Sequence, residues 1–495
     1  MVNLWKYKAL LVAALLFWCC TLEAQKVANA PLGSALIGAA AHSDAGTAPS
    51  DSIRSPFIIS KIYVSGNNKT KDYVVKRELP FEEGDSVALT ALVEKFRLGK
   101  QQLINTRLFN DVVISLKGFR GYEVDIQVDV KERWYIFPIP YLKPVDRNLQ
   151  AWADKGYSLS RLNFGAKFTY YNTTGRNDRL RLWLITGYSR QVLASYDQPY
   201  ADKSLKHGYG FNFNYGAFKE VNPLTVNNQQ FFLKADSLPK AGRFLQELWT
   251  GSVQYTYRPG LRTRHLFKFG YNVTRVDSAV LALNPKYLSN DRKAKIAFPD
   301  FTYSVTYINV DYAAYPQRGM IGEATLYKAG LGKDMNMWTL NLKGVRAWDL
   351  KWKSSFSIQA NGLIRIPFEQ PYVNNRLLGY GDFYLRGLEK YVVDGVAGVV
   401  IRNTARRELF NFNVNLPVRN MSHNRVPFKV YAKTYADMGY SYNKSFPGNS
   451  LSNRFLATAG AGIDILTLYD VVMRFEYSFN QLGQNGLFFH FKNDF

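Results

Sequence analysis

A chain that catalyses must gather nucleophiles, metal ligands or phosphate-binding loops. Five histidines occur in 495 residues, His42, His207, His265, His423 and His490, and no two stand at a metal-ligand spacing. The sequence holds no Gly-x-Ser-x-Gly elbow, no His-Glu-x-x-His helix and no phosphate loop ending in Gly-Lys-Ser/Thr. Its two cysteines, Cys19 and Cys20, lie in an N-terminal apolar run. The expectation is a non-enzyme without cofactor or metal; a Ser-His-Asp set assembled across strands is the arrangement that linear spacing leaves open. The chemistry on offer is ionic. Lys and Arg number 63 against 39 Asp and Glu, a net charge of +24. Arg386 beside Gly387, taken alone, reads as an exposed turn.

The elements that must position these charges fall into four parts. Residues 9–20 form an apolar run behind Lys6 and Lys8, and Leu22-Glu23-Ala24 offers a small-residue cleavage site, so residues 1–24 read as a secretory signal. Twelve apolar residues are too few for a membrane anchor, which needs roughly 20. A lipoprotein site at Cys20 is the lesser alternative, because Phe17 and Trp18 before it are bulky. Removal of the segment changes the charge only to +23, since Glu23 offsets one of two lysines. For an exported basic chain the expected counter-ions are phosphorylated glycolipids such as lipopolysaccharide and anionic outer-membrane lipids, not nucleic acid; a generally basic surface is the plain alternative. Residues 25–55, rich in Ala, Gly, Ser and Pro, have a linker's composition.

From Phe57 to Arg133 the pattern is β-α-α-β-β. Ile58-Ile59-Ser60-Lys61-Ile62-Tyr63-Val64 alternates as a strand and ends in Ser65-Gly66-Asn67-Asn68. A helix capped by Thr70 carries Val74, Val75 and Leu79 and stops at Pro80; a second covers residues 89–106; strands follow over 111–116 and 122–130. The expected core is Ile62, Val64, Leu92, Phe96, Leu108, Phe109, Val113 and Val128. Beyond Trp134 the period becomes two. Leu162, Phe164, Ala166, Phe168 and Tyr170 alternate with polar residues or glycine, as do Tyr209, Phe211, Phe213 and Tyr215, then Phe267, Phe269, Tyr271 and Val273, then Phe410, Phe412, Val414 and Leu416. A soluble sandwich also alternates. Aromatic apolar faces opposite Asn, Gly and Lys, behind an export signal, favour a transmembrane antiparallel β-barrel with a wet lumen. Residues 134–495 suffice for about 16 strands, with 14 or 18 also fitting.

The first unit resembles a POTRA domain, in Val64-Ser65-Gly66-Asn67, Glu83-Gly84-Asp85, Thr106-Arg107-Leu108-Phe109-Asn110-Asp111-Val112 and Val128-Asp129-Val130-Lys131-Glu132-Arg133. One such unit before a barrel is similar to the BamA superfamily of outer-membrane insertases and two-partner secretion pores. Four stretches of the barrel half extend the resemblance. Asp311, Pro316 and Gly319 match an Asp…Pro-x-x-Gly hairpin; Leu385-Arg386-Gly387-Leu388, after Gly379-Tyr380-Gly381, resembles the tip of the family's long sixth loop; Glu408 follows in Arg407-Glu408-Leu409-Phe410; and Tyr435-Ala436-Asp437-Met438-Gly439-Tyr440 resembles an Asp-x-Gly strand. The final strand, with Phe489, Phe491 and Phe495, resembles an outer-membrane terminal signal.

The resemblance implies a loop folded into the lumen, with Arg386 held by Glu408 and Asp437 as a latch. It also implies a periplasmic domain of residues 57–133 and an outer-membrane barrel of 134–495. The implied partners are unfolded outer-membrane proteins as clients, with accessory outer-membrane or periplasmic subunits. The leading expectation is an assembly and insertion factor whose POTRA domain receives client strands and whose seam inserts them. A protein-translocating secretion pore of the same superfamily, and a diffusion porin or structural subunit, are the alternatives.

Overall fold

The structure, a computed structural model, describes residues 56–144, 159–239, 244–415, 425–444 and 449–490. The expected signal (1–24), linker (25–55), Phe491 and Phe495 lie outside the described residues. The N-terminal unit comprises β1 (Phe57–Ser65), α1 (Asp72–Arg77), β2 (Ser86–Val87), α2 (Leu89–Asn105), β3 (Phe109–Arg120) and β4 (Glu123–Glu132). Its sheet runs β2-β1-β4-β3, with β1 parallel to β4. Both helices bury one stripe against it, Val74 and Val75 from α1, Leu92 and Leu103 from α2, over Ile59, Ile62, Val124, Ile126 and Val128. Val64 and Phe96 pack at the margin.

Two sequence expectations need correction. Val113 is 49% exposed, whereas Val112 is fully buried, because a bulge between Phe109 and Asp111 shifts the alternation by one. Thr70 does not cap α1, whose N-cap is Lys71 without a side-chain bond. Instead the Thr70 hydroxyl meets Glu132 and accepts from Asn172 Nδ2 at 2.8 Å. Leu103→Ala, which opens a cavity at the centre of this core, is expected to cost about 3 kcal/mol in urea unfolding of residues 57–133 expressed alone. An unchanged midpoint would mean that α2 does not pack there.

The rest of the chain builds one antiparallel sheet of 16 strands. Its first half contains β5 (Ile136–Pro144), β6 (Leu162–Tyr171), β7 (Arg179–Gly187), β8 (Arg190–Gln198) and β9 (His207–Phe218). The hairpin β10 (Glu220–Val226) and β11 (Gln229–Lys234) stands outside it, and β12 (Gln246–Tyr257), β13 (Thr263–Val276) and, after the short helix α3 (Ser278–Leu283), β14 (Lys295–Val310) resume it. The second half runs through β15 (Gly319–Ala329), β16 (Met337–Leu350) and β17 (Ser354–Ile366). A long loop carries the small pair β18 (Arg376–Leu378) and β19 (Val393–Asp394). Then come β20 (Ala397–Asn415), β21 (Arg425–Tyr442), β22 (Phe455–Leu466), β23 (Val472–Asn480) and β24 (Asn485–His490). Period-two sequence puts Tyr209, Phe211, Trp249, Val253, Phe269 and Tyr271 outside, exposed as a lipid-facing wall must be. Cross-strand rings knit that wall; Phe269 and Phe301 have centroids 4.9 Å apart. The inner face buries Arg402, Lys433, Asp437, Asp464, Arg474 and Glu476.

The small domain sits against one end of the barrel. Arg258, just after β12, reaches Glu78 Oε2 at 2.8 Å, and Tyr200 donates to the same carboxylate. Asn105 bonds both Val310 O (3.1 Å) and Ala313 N (2.9 Å). Arg133 forms a fork with Asp470, at 2.9 and 3.1 Å. Asp470 and Tyr469 lie in the turn between β22 and β23, with left-handed φ of 64° and 59°, and such backbone persists only where neighbours over-determine it. Tyr469 also packs edge-on to Phe137 of β5, centroids 5.7 Å apart. The first strand is thus tied to the last strands at the end nearest the small domain. Among the described residues, β5 and β24 share no ladder pairing along the seam itself.

Candidate functional site: a loop held against the lumen wall

The loop between β17 and β20 enters the lumen on an aliphatic footing. Leu377, Leu378, Leu385, Leu388 and Val393 cluster with Val400, Leu451 and Leu456. Leu385 and Leu388, flanking the tip, therefore bury as a pair around the charge between them. Gly439 makes room for the tip: a Cβ there would stand 2.9 Å from Leu385 Cδ1. Gly387 has φ +88°, and a Cβ on it would press to 2.8 Å from Ser478 Cβ. Its N–H donates to Glu389 at 2.7 Å and its carbonyl accepts from Asn480 at 2.8 Å.

Arg386 is 7% exposed. Nε donates to Asp437 Oδ2 at 2.7 Å and Nη2 to Asp437 Oδ1 at 2.5 Å, a bidentate fork of the kind that planar guanidinium permits. Nη2 also donates to Thr404 at 3.0 Å, and the guanidinium lies over the Tyr435 ring, 4.0 Å from its centroid. The second carboxylate is Glu476, at 3.8 Å. One arginine thus touches three wall strands: β20 through Thr404, β21 through Asp437 and β23 through Glu476.

Glu408 is not brought to this site. It meets Lys353 at 3.5 Å and accepts from Tyr431 at 3.3 Å. Four residues separate it from Thr404 along β20, roughly 13 Å of strand, which is beyond the reach of a guanidinium already forked onto Asp437. Glu476 takes the place the resemblance gave to Glu408. The sequence carried a signal for it: in β23 Arg474, Glu476, Ser478 and Asn480 alternate with Met473, Phe475, Tyr477 and Phe479, marking a polar lumen face. Lys433, bonded to Asp464 and 2.7 Å from Glu476, extends the network, and His490 Nε2 stands 3.3 Å from both Glu476 and Glu389.

The hairpin residues lie at the other end of the wall. Asp311 Oδ1 accepts from the N–H groups of Gln317 and Arg318, both at 3.1 Å, closing the turn between β14 and β15. Gly319, at φ +110°, opens β15 where a Cβ would strike Asn309 O at 2.1 Å. Pro316 offers its carbonyl to Arg406 at 3.1 Å. Phe489 lies on β24, 56% exposed, its ring 4.9 Å from Phe475. No group of His, Cys, Asp or Glu among the described residues could hold a metal. The far mouth is crossed by the β10–β11 hairpin, whose Asn228 accepts from Val392 N at 2.8 Å and from Leu451 N at 3.1 Å.

Residues 57–133 match the POTRA family, described as the surface antigen variable number repeat. The chain is 28% identical over 178 residues to the outer membrane protein assembly factor BamA of Buchnera aphidicola; the match spans 34% of this chain and 26% of that protein. Among solved structures, CdiB from Escherichia coli superposes over 88% of this chain and 74% of its own, with a TM-score of 0.52 at 13% identity. BamA from Haemophilus ducreyi lacking POTRA domains 1–3 covers 88% and 83%, at a TM-score of 0.47 and 17% identity. The sixteen-stranded barrel with its POTRA domain is an outer-membrane fold.

Proposed function

We propose that this chain, which belongs to the BamA superfamily by its POTRA domain and sixteen-stranded barrel, assembles other barrel proteins into the outer membrane without an energy source of its own. Its POTRA domain faces the periplasm and presents strand edges to unfolded clients, which add by backbone pairing and pass to the seam. The observation that carries this reading is a loop pinned to the inner wall beside a seam that has no ladder pairing between β5 and β24 among the described residues. Arg386 fixes its loop on the inner wall, the β10–β11 hairpin bonds to that loop and to Leu451 at the far mouth, and the POTRA domain rests on the near one. A diffusion porin needs the lumen clear. Secretion through the lumen needs both the loop and the hairpin to leave. Insertion through the seam needs neither, because a client strand replaces the backbone pairs that lipid cannot supply.

Purified protein in liposomes tests the reading. It is expected to accelerate folding of a urea-unfolded eight-stranded barrel, and deletion of residues 57–133 to reduce that gain. Free conduction of small solutes with no acceleration of folding would overturn the assembly reading in favour of a pore.

A further inference from the structure

The POTRA domain meets the barrel rim at two anchors and stands off between them. At one, Arg77 of α1 donates to the carbonyls of Arg258 and Gly260, both at 3.2 Å, beside the Glu78–Arg258 pair. At the other, Asn105 at the end of α2 bonds Val310 and Ala313. The gap between the anchors is a cleft of about 420 Å³, within the range of small-molecule sites. Its domain side is Pro80 with Leu98 and Gln102, which share a face of α2 four residues apart. Its barrel side is the turn of residues 259–262 and, on the wall, Thr263 and Tyr307.

The cleft opens on the lipid side. Thr263 and Tyr307 pair across β13 and β14, and the same face continues through His265 with Val305, Phe267 with Tyr303 and Phe269 with Phe301. Its floor is thus the row of the lipid-facing wall nearest the small domain. In the next rows Tyr and His rings form a belt: Tyr257 and His265 stack with centroids 6.1 Å apart, as do His265 and Tyr303. Such a belt marks the headgroup level of a bilayer.

What the cleft offers a ligand is hydrocarbon and positive charge. Pro80 and Pro259 have no N–H to give. The carbonyls of Arg258 and Gly260 are taken by Arg77, that of Leu261 by Arg258 Nη2 at 2.7 Å, and that of Arg262 by Ile308 N at 2.9 Å. An extended polypeptide therefore finds no ladder to join. Arg262 is exposed and has no carboxylate partner among the described residues. The turn before β9 lies alongside, Arg258 N bonding Lys206 O at 2.7 Å, and exposes Lys203 and Lys206. Its one acid, Asp202, is turned back onto the N–H groups of Ser204, Lys206 and His207, at 2.9, 3.1 and 3.0 Å.

We propose that this cleft binds an anionic phospholipid: an acyl chain lies between Leu98 and Tyr307, against the two prolines and Leu261, and the phosphate meets the guanidinium of Arg262. The proposal takes from the assembly reading only the side of the membrane, the periplasmic leaflet.

Photolabelling of the full chain in liposomes tests it. Phosphatidylglycerol and phosphatidylcholine carrying the same diazirine acyl chain are compared, and labelled residues are identified by mass spectrometry. Label at Phe269, on the open wall, reports bulk lipid and is expected to be equal from both. Label at Leu98 and Gln102 is expected to be about five-fold stronger from phosphatidylglycerol, the effect of one cation beside an anionic headgroup. Arg262→Gln should lower it to the phosphatidylcholine level. Leu98→Trp, which fills the cleft, should remove label from Gln102 and leave Phe269 unchanged. Label confined to the open wall, equal label in the cleft from both lipids, wild-type labelling in Arg262→Gln, or full label at Gln102 in Leu98→Trp would each overturn the proposal. No client protein is present, so none of these results bears on the assembly reading.

Discussion

Arg386→Ala should lower the temperature at which the barrel loses its folded gel mobility by about 5 °C and reduce client folding with it. Asp437 is 2% exposed and Glu476 1%. Removing the guanidinium leaves Asp437 buried without its partner, while Glu476 keeps Lys433 at 2.7 Å, a change that costs on the order of 3 kcal/mol, and about 5 °C follows for a barrel of this size. Arg386→Lys should recover only part of the loss, because an ammonium cannot fork onto both oxygens of Asp437 while bonding Thr404. Asp437→Ala should resemble Arg386→Ala, and the double variant should be less impaired than the sum of the two. Glu408→Ala, remote from the tip, should leave the loop in place. Strict additivity of the first pair, or a wild-type shift temperature in Arg386→Ala, would show that the loop is held by its leucines alone.

Glu78→Gln should free the POTRA domain from the barrel rim. Burial by itself raises the Glu78 pKa, but the Arg258 charge, its hydrogen bonds and the Tyr200 hydroxyl outweigh that and hold the carboxyl below its ordinary value. Asp470 is depressed likewise, burial being overcome by the hydrogen bonds and charge of Arg133. A carboxyl with a lowered pKa in the docked state favours docking above its ordinary pKa, and that contribution is lost as pH falls through the depressed value. Docking should thus be intact from neutral pH down to the ordinary carboxylate range and loosen only on further acidification. Replacing Glu78 strands Arg258 and should cost on the order of 3 kcal/mol, roughly a hundredfold in the docked population. A crosslink between positions 105 and 313 reads this directly. If it persists in Glu78→Gln at neutral pH, the triad does not hold the domain.

Much of the fold was legible because its dominant signals are local. The switch from helical spacing in Val74, Val75 and Leu79 to the alternation of Tyr209, Phe211 and Phe213 marks the domain change in the letters alone. Asp437 was legible with Arg386 through the shape of its strand motif, whereas the place of Glu476 depended on where the loop tip lands on the closed wall. Bulges are equally silent in sequence: nothing in Asn110-Asp111 announces the shift that buries Val112 in place of Val113. Docking contacts such as Arg133 to Asp470 join residues 337 apart, and no periodicity encodes them.

The Arg133–Asp470 fork, with Tyr469 set against Phe137, ties the start of β5 to the turn between β22 and β23, so a seam that opened would open as the covers of a book bound at one end. Separation there would be a rotation rather than a uniform parting. Along nine residues of β5, about 30 Å of strand, a splay of roughly 20° leaves the bound end closed and opens about 10 Å at the far end, the width of two added strands. Under the assembly reading proposed above, width would then scale with distance from the binding, and room for new strands would appear first at the end remote from the POTRA domain.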